Sequence, residues 1–175
     1  MKVSFIGLGV MGYPMAGHLK TQGFDVTVYN RTTEKAKNWA EAYAGKYATT
    51  PKLAAEGAEI VFICVGNDDD LRSVVYGEQG VLASMQPGSL IVDHTTTSAE
   101  VAREVHAKAK EQGVDFIDAP VSGGQAGAEN GVLTVMCGGE QAAFDKAQPV
   151  MAAFAKFSKL LGPVGAGQLT KMVNQ

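Results

Sequence analysis

Short apolar runs separated by stretches of helical length repeat along almost the whole chain. Segments at 2–6, 25–29, 46–49, 59–65, 89–93 and 114–117 are rich in Val, Ile and Phe, are bounded by turn-forming residues, and predict strands. Further strands are expected near 132–137 and 157–161. Between them, apolar residues recur at helical spacing near 10–22, 33–44, 51–56, 68–76, 97–112 and 140–155. Alternation at this spacing implies βαβ units, a mostly parallel sheet and helices on both of its faces. Val132 to Cys137 follows a short link, so this strand is expected to run antiparallel to the sheet.

The first strand runs directly into Gly7-Leu8-Gly9-Val10-Met11-Gly12 and then into a helix. Gly7 allows a tight turn, Gly9 leaves no side chain between the backbone and a ligand, and Gly12 lets the helix lie against the strand. The helix N-terminus then presents unpaired N–H groups and a partial positive charge to an anion. Strand, glycine turn and helix in this order predict dinucleotide binding in an α/β, doubly wound Rossmann-type sheet with an extra βαβ-like extension. About 20 positions beyond the glycine loop, the second strand should end at the adenosine ribose. The chain has Tyr29-Asn30-Arg31-Thr32 there, with no carboxylate to accept from a free 2′-hydroxyl. Arg31 offers a planar cation suited to a 2′-phosphate, with Asn30 and Thr32 adding neutral hydrogen bonds, so NADP is expected in preference to NAD. Val65, Gly66 and Asn67 after the fourth strand, and Thr95 and Thr96 after the fifth, should line the same crevice.

Composition narrows the function classes. The 175 residues are 46% hydrophobic and 19% charged, with a net charge of −3, which describes a globular domain. Scattered Lys and Arg argue against nucleic acid or an anionic membrane as partner. No apolar stretch approaches the roughly 20 residues of a spanning helix. Cys64 and Cys137 fall in strand-like segments without ligand spacing, so reduced thiols and a cytoplasmic location are expected. Asp68-Asp69-Asp70 fits the cap of a helix better than a metal site. His18, His94 and His106 form no ligand pair and suit packing or surface roles; no metal is expected.

Two segments carry candidate chemistry. Asp118-Ala119-Pro120-Val121-Ser122-Gly123-Gly124 follows a strand. Its Ser-Gly-Gly turn is either a cradle of N–H groups and a hydroxyl for a carboxylate or a bend that merely redirects the chain. Near the C-terminus, Lys171, Asn174 and Gln175 share one helical face. A partly desolvated lysine there suits proton transfer, whereas a solvent-facing one does not.

Three motifs together resemble the 3-hydroxyisobutyrate dehydrogenase, or β-hydroxyacid dehydrogenase, family. They are Phe5-Ile6-Gly7-Leu8-Gly9-Val10-Met11-Gly12-Tyr13-Pro14-Met15-Ala16, Asp118 through Gly124, and Gly165-Ala166-Gly167-Gln168-Leu169-Thr170-Lys171-Met172-Val173-Asn174. The resemblance implies a metal-independent dehydrogenase of short 3-hydroxy acids. Ser122, Gly123 and Gly124 would hold the substrate carboxylate, Lys171 would act as general acid/base, and Asn174 and Gln175 would help to orient substrate. A hydroxyl residue matching Thr96 commonly contacts the cofactor in this family. The family's amide pair is often Asn-Asn, where this chain has Asn174-Gln175. The resemblance further implies an NADP-binding unit over 1–162 and the start of an interdomain catalytic helix over 163–175. The family's C-terminal all-helical domain, which completes the cleft and builds a homo-oligomer, is expected to lie outside these 175 residues. 6-Phosphogluconate dehydrogenase shares a similar glycine loop and Asn-Arg-Thr segment but normally carries His where this chain has Asn174. Imine reductases generally lack the lysine. Glyoxylate or tartronate semialdehyde reduction, and a non-catalytic NADP-binding module, are the other readings.

Overall fold

The computed structural model describes residues 1–174. Six strands, β1 (Lys2–Ile6), β2 (Asp25–Tyr29), β3 (Lys46–Tyr47), β4 (Ile60–Ile63), β5 (Leu90–Asp93) and β6 (Asp115–Asp118), form one sheet in the order β3-β2-β1-β4-β5-β6. Every neighbouring pair is parallel, with Phe5 opposite Val28 on one side and Phe62 on the other. The connections are α1 (Gly12–Thr21), α2 (Thr33–Tyr43), α3 (Pro51–Ala55), α4 (Asp68–Val75) and α5 (Ala99–Lys110). This is a Rossmann-like doubly wound sheet, whose strand order reverses between β1 and β4.

The strands alternate between two buried faces, which is why they read as unbroken apolar runs. Val3, Phe5, Ile60, Phe62, Leu90 and Val92 pack with Met15, Leu19 and Trp39 on one face. Ile6, Val61, Ile63, Ile91 and Phe116 pack with Leu71, Val75, Val101 and Val105 on the other. Helix starts follow from side-chain caps. Thr50 Oγ1 accepts from Leu53 N at 3.1 Å, Asn67 Oδ1 from Asp70 N at 2.9 Å, and Ser98 Oγ from Val101 N at 3.1 Å.

After β6 the chain forms a second sheet from β7 (Val121–Ser122), β8 (Leu133–Cys137) and β9 (Ala155–Leu160), with α6 (Gly124–Asn130), α7 (Gln141–Met151) and a final helix, α8 (Ala166–Asn174). The β8-α7-β9 unit is the expected βαβ-like extension. The segment 132–137, expected to join the main sheet as an antiparallel strand, instead pairs antiparallel with β7 and parallel with β9. An antiparallel bridge just beyond it, between Asp118 and Gly138, links it to β6, and Leu133, Val135 and Cys137 share the buried core with the main sheet. β7 and α6 are not evident in the sequence because Gly123, Gly124, Gly127 and Gly131 resemble a loop. Gly127 and Ala128 are nevertheless buried, and a β-carbon at Gly127 would lie 3.1 Å from Leu133 Cδ2. His18 closes α6 against α1, its Nε2 donating to the carbonyls of Ala128 and Glu129, each at 2.9 Å.

Candidate active site

At the reversal between β1 and β4 lies a cavity of about 710 Å³, lined by the whole Gly7–Gly12 loop. Gly7 has φ +102°, and a β-carbon there would collide with the carbonyl oxygen of Cys64. A β-carbon at Gly12 would collide with the carbonyl of Gly7, so its absence lets α1 pack against the loop. Gly9 differs from both. A β-carbon there meets nothing within 4 Å, and no positive φ demands glycine. Its bareness serves the open space above it rather than the protein's own packing. The amides of Gly9, Val10 and Met11 donate to no described residue and stand at the start of α1. A bare backbone, free amides and a helix N-terminus together fit a pyrophosphate.

The end of β2 completes this part of the crevice. Asn30 lines the cavity, but its Oδ1 accepts from Leu8 N at 2.9 Å and its Nδ2 donates to Thr32 O at 3.2 Å. The amide of Leu8 is thereby committed and its side chain is buried, so Leu8 shapes the loop rather than offering a donor. Arg31 and Thr32 are exposed on the cavity rim. Arg31 makes no ion pair with a described residue, and Thr32 stands at the N-cap of α2 without a side-chain cap bond.

Val65 and Gly66 line the opposite wall, whereas Asn67 turns away to cap α4. Thr95 lies beneath the crevice, its Oγ1 accepting from Val65 N at 3.0 Å, while Thr96 is exposed; neither lines the cavity. Asp70 lines the cavity as well, and further wall residues passed over in the sequence are Thr49, Thr50, Tyr76 and Gln79. The Thr50-Pro51 helix start was the only available signal, because these residues come together through the sheet order. Asp68 takes another partner, accepting from Ser98 N and Ser98 Oγ at 3.0 and 2.7 Å. Among the described residues no cluster of His, Cys, Asp and Glu is placed to hold a metal ion.

Ser122, Gly123, Gly124, Lys171 and Asn174 lie outside the lining of that cavity; Gly123 (φ +130°) and Gly124 (φ +63°) turn the chain from β7 into α6 and leave Ser122 exposed. Helix α8 brings Lys171 to this turn, where its Nζ donates to Val121 O at 2.8 Å. Asn174 is exposed on the same helix, and Gln175 lies outside the described residues. Asp118 is fully buried and accepts from Gly165 N and Gln168 N. Burial raises its carboxyl pKa, an effect that the amides of Gly165 and Gln168 partly oppose. In the next strand, burial pushes the Asp93 carboxyl up to about 7, against the hydrogen bonds from Thr95, with Asp118 adding to the rise. Its Oδ2 finds no partner among the described residues. His94 stacks on Phe62, and burial lowers it to about 4. It is therefore neutral at pH 7, with Nδ1 donating to Ala119 O at 2.7 Å. Burial raises the thiols of Cys64, in the cavity wall, and Cys137, in the core, to about 12, which leaves both inert.

Comparisons with known proteins agree with this geometry. A family described as the NAD binding domain of 6-phosphogluconate dehydrogenase matches residues 2–167. An "Uncharacterized oxidoreductase" of Shewanella frigidimarina is 66% identical over 174 residues, covering 99% of this chain and 60% of the relative. The "Probable 3-hydroxyisobutyrate dehydrogenase-like 2, mitochondrial" of Arabidopsis thaliana is 38% identical over 99% of this chain and 58% of its own length. Among solved structures, the 3-hydroxyisobutyrate dehydrogenase of Mycobacterium tuberculosis with L-serine superposes with a TM-score of 0.92 at 34% identity, covering 99% of this chain and 58% of that one. The chain thus spans about 60% of the length of these relatives.

Proposed function

Because the chain belongs to the family of the NAD binding domain of 6-phosphogluconate dehydrogenase, and its relatives include 3-hydroxyisobutyrate dehydrogenase-like proteins, we propose that it is the cofactor domain of an NADP-dependent 3-hydroxyacid dehydrogenase. The reaction is the interconversion of a short 3-hydroxy acid and its semialdehyde. A nicotinamide dinucleotide, when bound, supplies or accepts the hydride. The residues to hold it are the amides of Gly9, Val10 and Met11 at the pyrophosphate and Arg31 and Thr32 at the 2′-phosphate, with Val65 and Gly66 along the crevice.

The observation that carries the chemistry is the bond from Lys171 Nζ to Val121 O at 2.8 Å, one residue before the Ser122-Gly123-Gly124 turn. A carboxylate held by the Ser122 hydroxyl and the glycine amides leaves the substrate hydroxyl beside Lys171. As the neutral amine, Lys171 takes that proton in oxidation and becomes the ammonium, and the ammonium returns it in reduction. Asn174, one turn away on the same helix face, orients the substrate oxygen. An ammonium already sharing its proton with a carbonyl is held in one direction, which is the positioning that general acid/base catalysis needs. With 40% of the relatives' length outside these 175 residues, the chain by itself binds NADPH and turns over slowly.

The test combines binding and turnover. NADPH is expected to bind more tightly than NADH, with Arg31→Ala removing about tenfold or more of NADPH affinity, the scale of one charge-assisted bond. Lys171→Ala in the full-length protein is expected to cost about 10²–10⁴-fold in kcat while NADPH affinity stays within about twofold. Equal turnover in the lysine variant would overturn the assignment of Lys171, and tighter NADH binding would overturn the assignment of cofactor.

A further inference from the structure

The first turn of α8 is held by two buried side chains whose bonds reach outside the helix. Asp118, at the end of β6, accepts from Gly165 N through Oδ1 at 2.8 Å and from Gln168 N through Oδ2 at 2.9 Å. Gln168 is 2% exposed and bonded at both ends of its amide. Its Oε1 accepts from Thr97 N at 3.1 Å, and its Nε2 donates to Thr95 O at 2.7 Å. Thr95 in turn accepts from Val65 N, and Val65 lines the dinucleotide cavity. A β-carbon at Gly167 would collide with Met136 O, so α8 lies directly on β8.

These bonds do more than cap a helix. The Asp118 carboxylate fixes where α8 begins, because it takes two amides that the helix cannot pair internally. Gln168 fixes the rotation about the axis, because its partners lie in the 95–97 loop and not in α8. Lys171 stands three residues later, on nearly the same side. Turning the helix by one residue, about 100°, would take Gln168 from its loop and Lys171 from Val121 O together.

We propose that Asp118 and Gln168 are positioning residues for Lys171, tying the angle of the lysine helix to the loop that also supports the cofactor crevice. The proposal rests on the reading of Lys171 as general acid/base, and its test separates the two. In the full-length protein, with 3-hydroxyisobutyrate and NADP as probes, Gln168→Met removes both amide bonds at similar side-chain length. Expected is a loss in kcat of about tenfold or more, with KM changed by less than about threefold and NADPH affinity by less than about twofold. Added to Lys171→Ala, the same substitution should cost nothing further, because no aimed ammonium is left to misplace.

If Lys171→Ala keeps its turnover, the reading of the lysine fails. If Lys171→Ala loses turnover while Gln168→Met keeps its kcat, or costs the same factor in both backgrounds, the positioning role fails and the lysine's role stands. Should Gln168→Met not fold, Asp118→Asn must give the same split between kcat and KM. Hydrogen exchange on the unaltered protein supplies an arm that needs no turnover. The amides of Gly165 and Gln168 are expected to be as protected as those of β6, and exchange at unprotected rates would overturn the proposal.

Discussion

Asp93 and His94 are adjacent at the end of β5 and respond to pH in opposite directions. Burial lifts Asp93 from 3.8 to about 7, so between those values the folded protein holds a proton that the unfolded chain has released. Asp93 therefore lowers stability as pH rises from about 4 to about 7, with a slope of up to about 1.4 kcal/mol per pH unit. His94, lowered from 6.5 to about 4, has lost a proton that the unfolded chain retains, so it raises stability over much of the same window. The two nearly cancel in the whole protein. Asp93→Asn removes one of them, so denaturant midpoints measured from pH 4 to 8 should isolate it. The stability of the unaltered protein relative to Asp93→Asn is expected to fall up to about pH 7 and to level above it. A difference independent of pH would mean that Asp93 is ionised throughout.

At the scale of elements, the β1-loop-α1 unit was legible from its apolar run and three glycines, of which Gly7 and Gly12 answer steric demands of the protein and Gly9 leaves open space above the loop. Its second layer was not. Asn30 is expected from sequence to meet the cofactor and lines the cavity, and its Oδ1 also takes Leu8 N, a pairing that exists only once β2 lies beside β1. The extension was half legible for a similar reason. The strand at 133–137 has its own pattern, but its partner β7 is two residues long and α6 is built of small residues. The Ser122 turn and Lys171 are about 50 positions apart, and they meet through the pairing of β7 with β8, the seat of Gly167 on β8 and the buried bonds of Asp118 and Gln168. Gly7 tests the unit itself. Alanine there meets both an unfavourable φ and the Cys64 carbonyl, so Gly7→Ala is expected to cost about 2–4 kcal/mol in a denaturant melt. A variant as stable as the parent would show that the loop relaxes freely.

The molecule as a whole is a crevice at the reversal of strand order, with a candidate proton-transfer group carried separately by α8 against the turn after β7. Sheet order and cavity agree on where a dinucleotide belongs, and the relatives agree on its class. Gly9 gives the sharpest probe of that claim, because a β-carbon there meets no protein atom within 4 Å. Calorimetric titration of NADPH into this chain and into Gly9→Val, with both melts recorded, is the most direct test. The account predicts one-to-one binding by the unaltered chain, a melting curve for the variant within about 1 kcal/mol of it, and at least about tenfold weaker binding by the variant. NADPH affinity unchanged by a folded Gly9→Val would contradict it.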